Sequence, residues 1–253
     1  MPARGKSRER GNTVKLEGVK ALGFDVFGTV VDWRGGVARD AGPFLRRHGR
    51  ADADPLAFAD AWRRQYQPAM ERVRSQGRPF TKLDILHREN LDIILPDFGI
   101  DPGSVPAAEL DELNLAWHRL DPWPDVVEGL IRLKRRFTIV TLSNGNVSLM
   151  VNMAKRAGMP WDAILGAEPT RAYKPSPEAY LGTADMLGLR PEELCLVAAH
   201  DSDLAAARSC GLKTAFVLRP GEQGLGQHTD LESGQDWDVV SKDFCDLADQ
   251  VGA

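Results

Sequence analysis

Cysteine is scarce in this chain: Cys195, Cys210 and Cys245 are far apart and odd in number. That argues against a disulfide framework and a cysteine-based zinc site, and suits a reducing cytosol. Long apolar runs are missing as well. None approaches the ~18 residues of a membrane span. There is no basic excess, since 32 Lys and Arg face 36 Asp and Glu for a net charge of -4, so nothing invites nucleic acid. At the start, Arg4, Lys6, Arg8 and Arg10 lie among Gly, Ser and Asn. That stretch lacks the apolar centre of a signal peptide and reads as a disordered tail over 1–14. Internal repeats and low-complexity segments are absent too. What remains, 43% hydrophobic and 27% charged over 253 residues, is ordinary for a folded protein with ample core.

The chain is organised around Val19 to Asp32, a short apolar strand ending in Asp25 and followed by a Gly28-Thr29 turn. Arg34-Gly35-Gly36 then reads as a hinge. Val37 to His48 is amphipathic, and Pro55 to Gln76 carries Phe58, Trp62, Tyr66, Met70 and Val73 at helical spacing. Thr81 looks like the N-cap of a third helix, with Asp84 at capping-box distance, and Pro106 to Leu120 gives a fourth. Residues 35–118 contain no convincing strand and read as a helical subdomain inserted after the first strand.

From Leu120-Asp121-Pro122 onward, strand and helix patterns alternate. Strands are expected at Phe137 to Leu142, Trp161 to Gly166, Leu194 to Ala199 and Thr214 to Leu218. Helices fall at Val126 to Lys134, Val147 to Ala157, Pro177 to Leu187 and Leu204 to Cys210. A polar loop over 219–236 leads to an edge strand at Trp237 to Val240 and a last helix at Phe244 to Val251. Such alternation means a doubly wound parallel α/β sheet, so 15–34 and 119–253 form an α/β core.

Ligands of open α/β sheets bind outside the carboxyl ends of the strands. There this chain places Asp25, then Ser143-Asn144, then Lys174-Pro175 in a loop, then His200 to Asp203. Each has a bland reading: Asp25 caps a turn, Ser143 and Asn144 cap a helix, Lys174 is a solvated charge and Asp203 caps its helix. Their convergence on one sheet edge favours chemistry.

Asp25-Val26-Phe27-Gly28-Thr29, Ser143-Asn144, Lys174-Pro175 and Asp203 resemble the four motifs of the haloacid dehalogenase superfamily. The resemblance covers nearly everything from Val19 onward and makes residues 35–118 its cap. Most members are Mg²⁺-dependent phosphatases with a second Asp two residues after the nucleophile, which protonates the departing alkoxide. Here that position is Phe27, and where an acidic metal ligand is usual stand Ala198, Ala199 and His200. A halide leaves without a proton, so the resemblance narrows to the metal-independent L-2-haloacid dehalogenases.

In that branch Asp25 is the nucleophile that forms an ester with C2 of a small halogenated carboxylate. Thr29 orients Asp25, Lys174 keeps it ionised, and Phe27 is an apolar wall. Ser143 binds the substrate carboxylate, Asn144 contacts carboxylate or halide, and Asp203 positions or deprotonates the hydrolytic water. Arg63 of the cap stabilises the halide, with Arg64 as the alternative, and Tyr180 lines the site. His200 departs from the best-known members, which have an asparagine there. It holds water or substrate, or serves as a base. The branch implies no metal and no cofactor, a cytoplasmic setting and, commonly, a homodimer. A phosphatase with an atypical first motif and a non-catalytic binding protein are the competing readings.

Overall fold

The computed structural model describes residues 16–75 and 77–253; the tail over 1–14 and Gln76 lie outside the described residues. In chain order the elements begin with β1 (Ala21–Phe24), β2 (Val31–Asp32), α1 (Trp33–Arg47), α2 (Pro55–Arg64), α3 (Tyr66–Ser75), α4 (Leu83–Ile94) and α5 (Ala107–Asn114). β3 (Asp121–Pro122), α6 (Val126–Lys134), β4 (Thr138–Ser143), α7 (Val147–Ala157), β5 (Ala163–Gly166), α8 (Ala167–Thr170) and α9 (Pro177–Met186) follow. β6 (Leu194–Ala198), α10 (Asp201–Ser209), β7 (Lys213–Val217), β8 (Val239–Ser241) and α11 (Phe244–Val251) complete the chain. The main sheet has the order β5-β4-β1-β6-β7-β8, and every neighbouring pair runs parallel.

Side chains on a strand alternate between faces, so a sheet covered on both sides needs apolar residues throughout. Along β6, Leu194, Leu196 and Ala198 enter one hydrophobic cluster, while Cys195 and Val197 enter the other. The larger cluster runs on into the helices between β2 and β3, through Phe44, Phe58, Trp62 and Trp117. β2 and β3 pair antiparallel at the two ends of that helical segment, a ladder too short for a sequence pattern to reveal. Among the described residues, 35–118 contain no strand.

Several local expectations change. Arg34-Gly35-Gly36 is no hinge, because it lies inside α1. Asp32 caps that helix by accepting from the Gly35 N–H at 2.8 Å. Gly36 is there for close approach: a Cβ would lie 2.7 Å from Leu120 Cδ2. The long helix expected from Pro55 is two, α2 and α3, parted at Gln65. Thr81 is not a cap: its hydroxyl donates to Pro79 O, and Asp84 is held instead by His118 Nε2 at 3.0 Å and Asn146 Nδ2 at 2.8 Å. The expected fourth helix ends its α-helical part at Asn114 and continues as a 3₁₀ turn over Leu115–Arg119. α10 begins at Asp201, which places Asp203 in its first turn instead of at its cap. Asp201 at the start of that helix accepts from Trp237 Nε1 at 2.6 Å and the Gly234 N–H at 2.8 Å.

Candidate active site

β1 lies between β4 and β6, the point from which the sheet extends in both directions. The backbone at Asp25 continues the ladder, its N–H donating to Val197 O at 3.0 Å, and the side chain emerges just past the strand end. The chain then turns through Gly28 at φ +91°, a left-handed conformation suited to glycine. That turn brings Thr29 back to Asp25. Its hydroxyl donates to Asp25 Oδ2 at 2.7 Å and accepts from the Ala199 N–H at 2.9 Å, linking the ends of β1 and β6.

Lys174 is buried and lies between two carboxylates. Its Nζ donates to Asp25 Oδ1 at 2.9 Å and also to Asp203 Oδ2. Tyr180 donates to Asp203 Oδ1 at 2.6 Å. His200 Nδ1 is 3.2 Å from Asp25 Oδ2. Burial alone would push the Asp25 carboxyl up. The Lys174 and His200 charges and hydrogen bonds outweigh it and hold the group well below the usual carboxylate range. Lys174 is pulled down by burial and pushed up further by Asp203 and Asp25, so its ammonium persists. Burial, followed by Asp203, pushes Tyr180 up and keeps its hydroxyl a donor.

Asp25, Phe27, Arg63, Asn144, Lys174, His200 and Asp203 all line one cavity of about 360 Å³. Asn144 also fixes the lysine's backbone, its Oδ1 accepting from the Lys174 N–H at 2.8 Å. Thr29, Ser143 and Tyr180 sit behind the wall. Ser143 is fully buried, and its hydroxyl accepts from the Gly145 N–H at 3.1 Å. The two arginine candidates separate. Arg64 is exposed, whereas Arg63 runs across aromatic faces, 4.0 Å from the Tyr66 ring centre and 5.7 Å from that of Phe27. Its Nη1 is buried with no hydrogen-bond partner among the described residues. Sequence reasoning missed Tyr66, Gln67, Arg74, Ser202 and Asp230 in the wall, as well as Glu222 behind His200. Tyr66 carried only a helical-spacing signal. The others follow no periodicity.

Mg²⁺ demands a near-octahedral set of oxygens. Here the Lys174 ammonium holds one oxygen of Asp25 and one of Asp203, and Ala198 and Ala199 offer no side-chain oxygen. These residues do not fit that ion.

An Asp at the end of the central parallel strand, with Ser-Asn, Lys and Asp brought to it from three later loops and helices on one side, defines a class. The chain belongs to the haloacid dehalogenase-like hydrolases, whose family model matches residues 19–211. It is 31% identical over 209 residues to (S)-2-haloacid dehalogenase 1 of Pseudomonas sp. (strain CBS-3), covering 81% of this chain and 86% of that one. With (S)-2-haloacid dehalogenase 4A of Burkholderia cepacia it shares 28% identity over the same fractions, 81% and 86%. The crystal structure of a defluorinating L-2-haloacid dehalogenase superposes with a TM-score of 0.90 at 53% identity, over 93% of this chain and 96% of that one.

Proposed function

We propose that this protein is a hydrolytic dehalogenase of small 2-haloacids that works through an ester on Asp25. The observation that carries the reading is the pairing of an ionised, buried Asp25 with Phe27 two residues on: a carboxylate free to attack as the anion beside a group that cannot protonate a leaving group. Asp25 attacks C2, the carbon–halogen bond breaks, and halide leaves with the bonding pair. The Arg63 Nη1, set among aromatic rings and without a hydrogen-bond partner among the described residues, is the donor for the departing halide. Asn144, on the same cavity wall, holds the substrate carboxylate or the halide, and Ser143 acts from behind by fixing the turn at Gly145. Water held by Asp203 then attacks the ester carbonyl of Asp25, releasing the 2-hydroxyacid and a proton and regenerating the carboxylate. Lys174 and Thr29 keep Asp25 in place, and Tyr180 does the same for Asp203. C2 inverts once.

Residues 35–118 act as a cap, contributing Arg63, Tyr66, Gln67 and Arg74 to the cavity. The likeness to a defluorinating relative adds fluoroacetate to the expected substrates. The same reading sets the enzyme in the cytoplasm, where its three free cysteines stay reduced, as a homodimer that light scattering would detect.

The test is halide release from chloroacetate, fluoroacetate and each enantiomer of 2-chloropropionate. Release from the (S) enantiomer with (R)-lactate as product is expected, and none from Asp25→Asn. Multiple turnovers in H₂¹⁸O should label Asp25. Absence of halide with every substrate, alongside Mg²⁺-dependent phosphate release from phosphate esters, would return the chain to the phosphatases.

A further inference from the structure

His200 touches two carboxylates. Its Nδ1 faces Asp25 Oδ2 at 3.2 Å, and its Nε2 lies 3.0 and 3.2 Å from the two oxygens of Glu222. Glu222 is 3% exposed, although it sits in the long polar loop after β7. It accepts a further bond from Trp33 Nε1 at 3.0 Å. That loop is built, not draped. Arg219 donates from Nε to Thr29 O at 2.8 Å and forms a two-pronged pair with Asp125 at 2.8 Å on each arm. Gln227 bridges the loop, accepting from the Gly221 N–H at 2.8 Å and donating to Thr229 O at 3.1 Å. The nucleophile turn is shaped to receive the carboxylate, because a Cβ at Gly28 would run into Glu222.

A neutral imidazole has one N–H, so between two carboxylates it would turn a lone pair toward one of them. A buried carboxylate without a donor is costly, which makes the doubly protonated ring the form that satisfies both. We propose that Glu222 is a positioning residue that holds His200 as an imidazolium against Oδ2 of Asp25, so that an anionic substrate meets a nucleophile already neutralised on two sides. The proposal rests on the dehalogenase reading for its substrate, though not for the charge of His200. Burial pulls His200 down, yet its bonds to Asp25 and Glu222 outweigh this and hold it well above the usual histidine value. Burial pushes Glu222 up, and the hydrogen bond and charge of His200 bring it below the usual value. The other charges around the pair are Lys174 and Asp203 on the core side and Asp230 at the cavity rim. From the helices come Arg63 and Arg64, with Asp60 bonded to Arg34 at 2.7 Å.

The test compares wild type with Glu222→Gln by following the His200 ring by NMR, assigned with His200→Gln, and by the pH profile of kcat/KM for chloroacetate. In wild type the ring should stay doubly protonated through pH 8, leaving kcat/KM without a histidine limb. In Glu222→Gln the ring should titrate within the assay range, and kcat/KM should fall about tenfold per pH unit above that point, chiefly through KM. A ring that titrates near 6.5 in folded wild type overturns the proposal, as does one that remains protonated to pH 8 in both variants. Because the NMR readout needs no turnover, failure of dehalogenation would leave this result standing on its own.

Discussion

Arg63 and Arg64 are adjacent on α2, yet a helix sends neighbouring side chains about 100° apart. Arg63 therefore lies over Tyr66 and toward Trp33, whose ring centre is 5.3 Å away, while Arg64 points outward. An unpartnered guanidinium nitrogen in an aromatic lining is a donor waiting for an anion. Replacing Arg63 by Ala should lower kcat for halide release by about 10²-fold or more, the scale of losing one transition-state donor. Arg64→Ala should leave kcat within about threefold, as expected of an exposed side chain. Equal losses in a chloride-release assay would remove Arg63 from its role. Phe27 belongs to the same lining, edge-on to Trp117 at 5.9 Å and to Tyr66 at 6.3 Å.

Among the elements, α4 carries an unusual load. His87 is buried within it, stacked on Trp117 at 4.2 Å, and among the described residues neither ring nitrogen has a hydrogen-bond partner. Burial pushes its pKa down to about 3, with Arg63 and His118 adding to the effect and Asp84 opposing it. The folded chain therefore binds fewer protons at this site than the unfolded chain between its ordinary value of 6.5 and about 3. The resulting stability is complete above that window and is lost as pH falls through it, by at most about 1.4 kcal/mol per pH unit. His87→Phe keeps an aromatic ring against Trp117 and removes both orphaned nitrogens. Its urea midpoint should match or exceed wild type at pH 7 and exceed it clearly at pH 4.5. An unchanged difference between the two pH values would show that His87 does not drive the acid sensitivity.

Across the whole molecule, the helical segment and the sheet share one hydrophobic cluster. Polar ties cross the same boundary: Tyr173 donates to Thr81 O at 2.5 Å, Arg74 to Lys174 O at 3.0 Å and Arg119 to Asp40 at 2.7 Å. Continuous apolar packing couples the two parts, so urea unfolding should be a single transition whether followed by tryptophan fluorescence or far-UV circular dichroism. Two separated midpoints would mean that the helical segment unfolds alone.

The alternation of strand and helix after Pro122, the position of Asp25 at a strand end and the helical character of 35–118 were legible because they depend on local periodicity and on neighbours in the chain. The break at Gln65, the cap of α4 and the loss of the hinge at Gly35-Gly36 were not. Asp84 chose His118 and Asn146 over its own helix start, and Gly36 answers to Leu120, partners that no local pattern contains. The same holds at the site. The sequence by itself determined that Asp25 stands at a strand end and that Lys174 and Asp203 follow later strands in the loop before α9 and the first turn of α10, because the alternation of elements sets those positions. Only the tertiary structure decided which arginine faces the cavity, that Ser143 lies behind its wall, and that Glu222 comes to His200 from a loop 22 residues away. Charges meet through space, and where a long loop folds back is fixed by packing and hydrogen bonds such as those of Arg219 and Gln227, not by the order of residues along it.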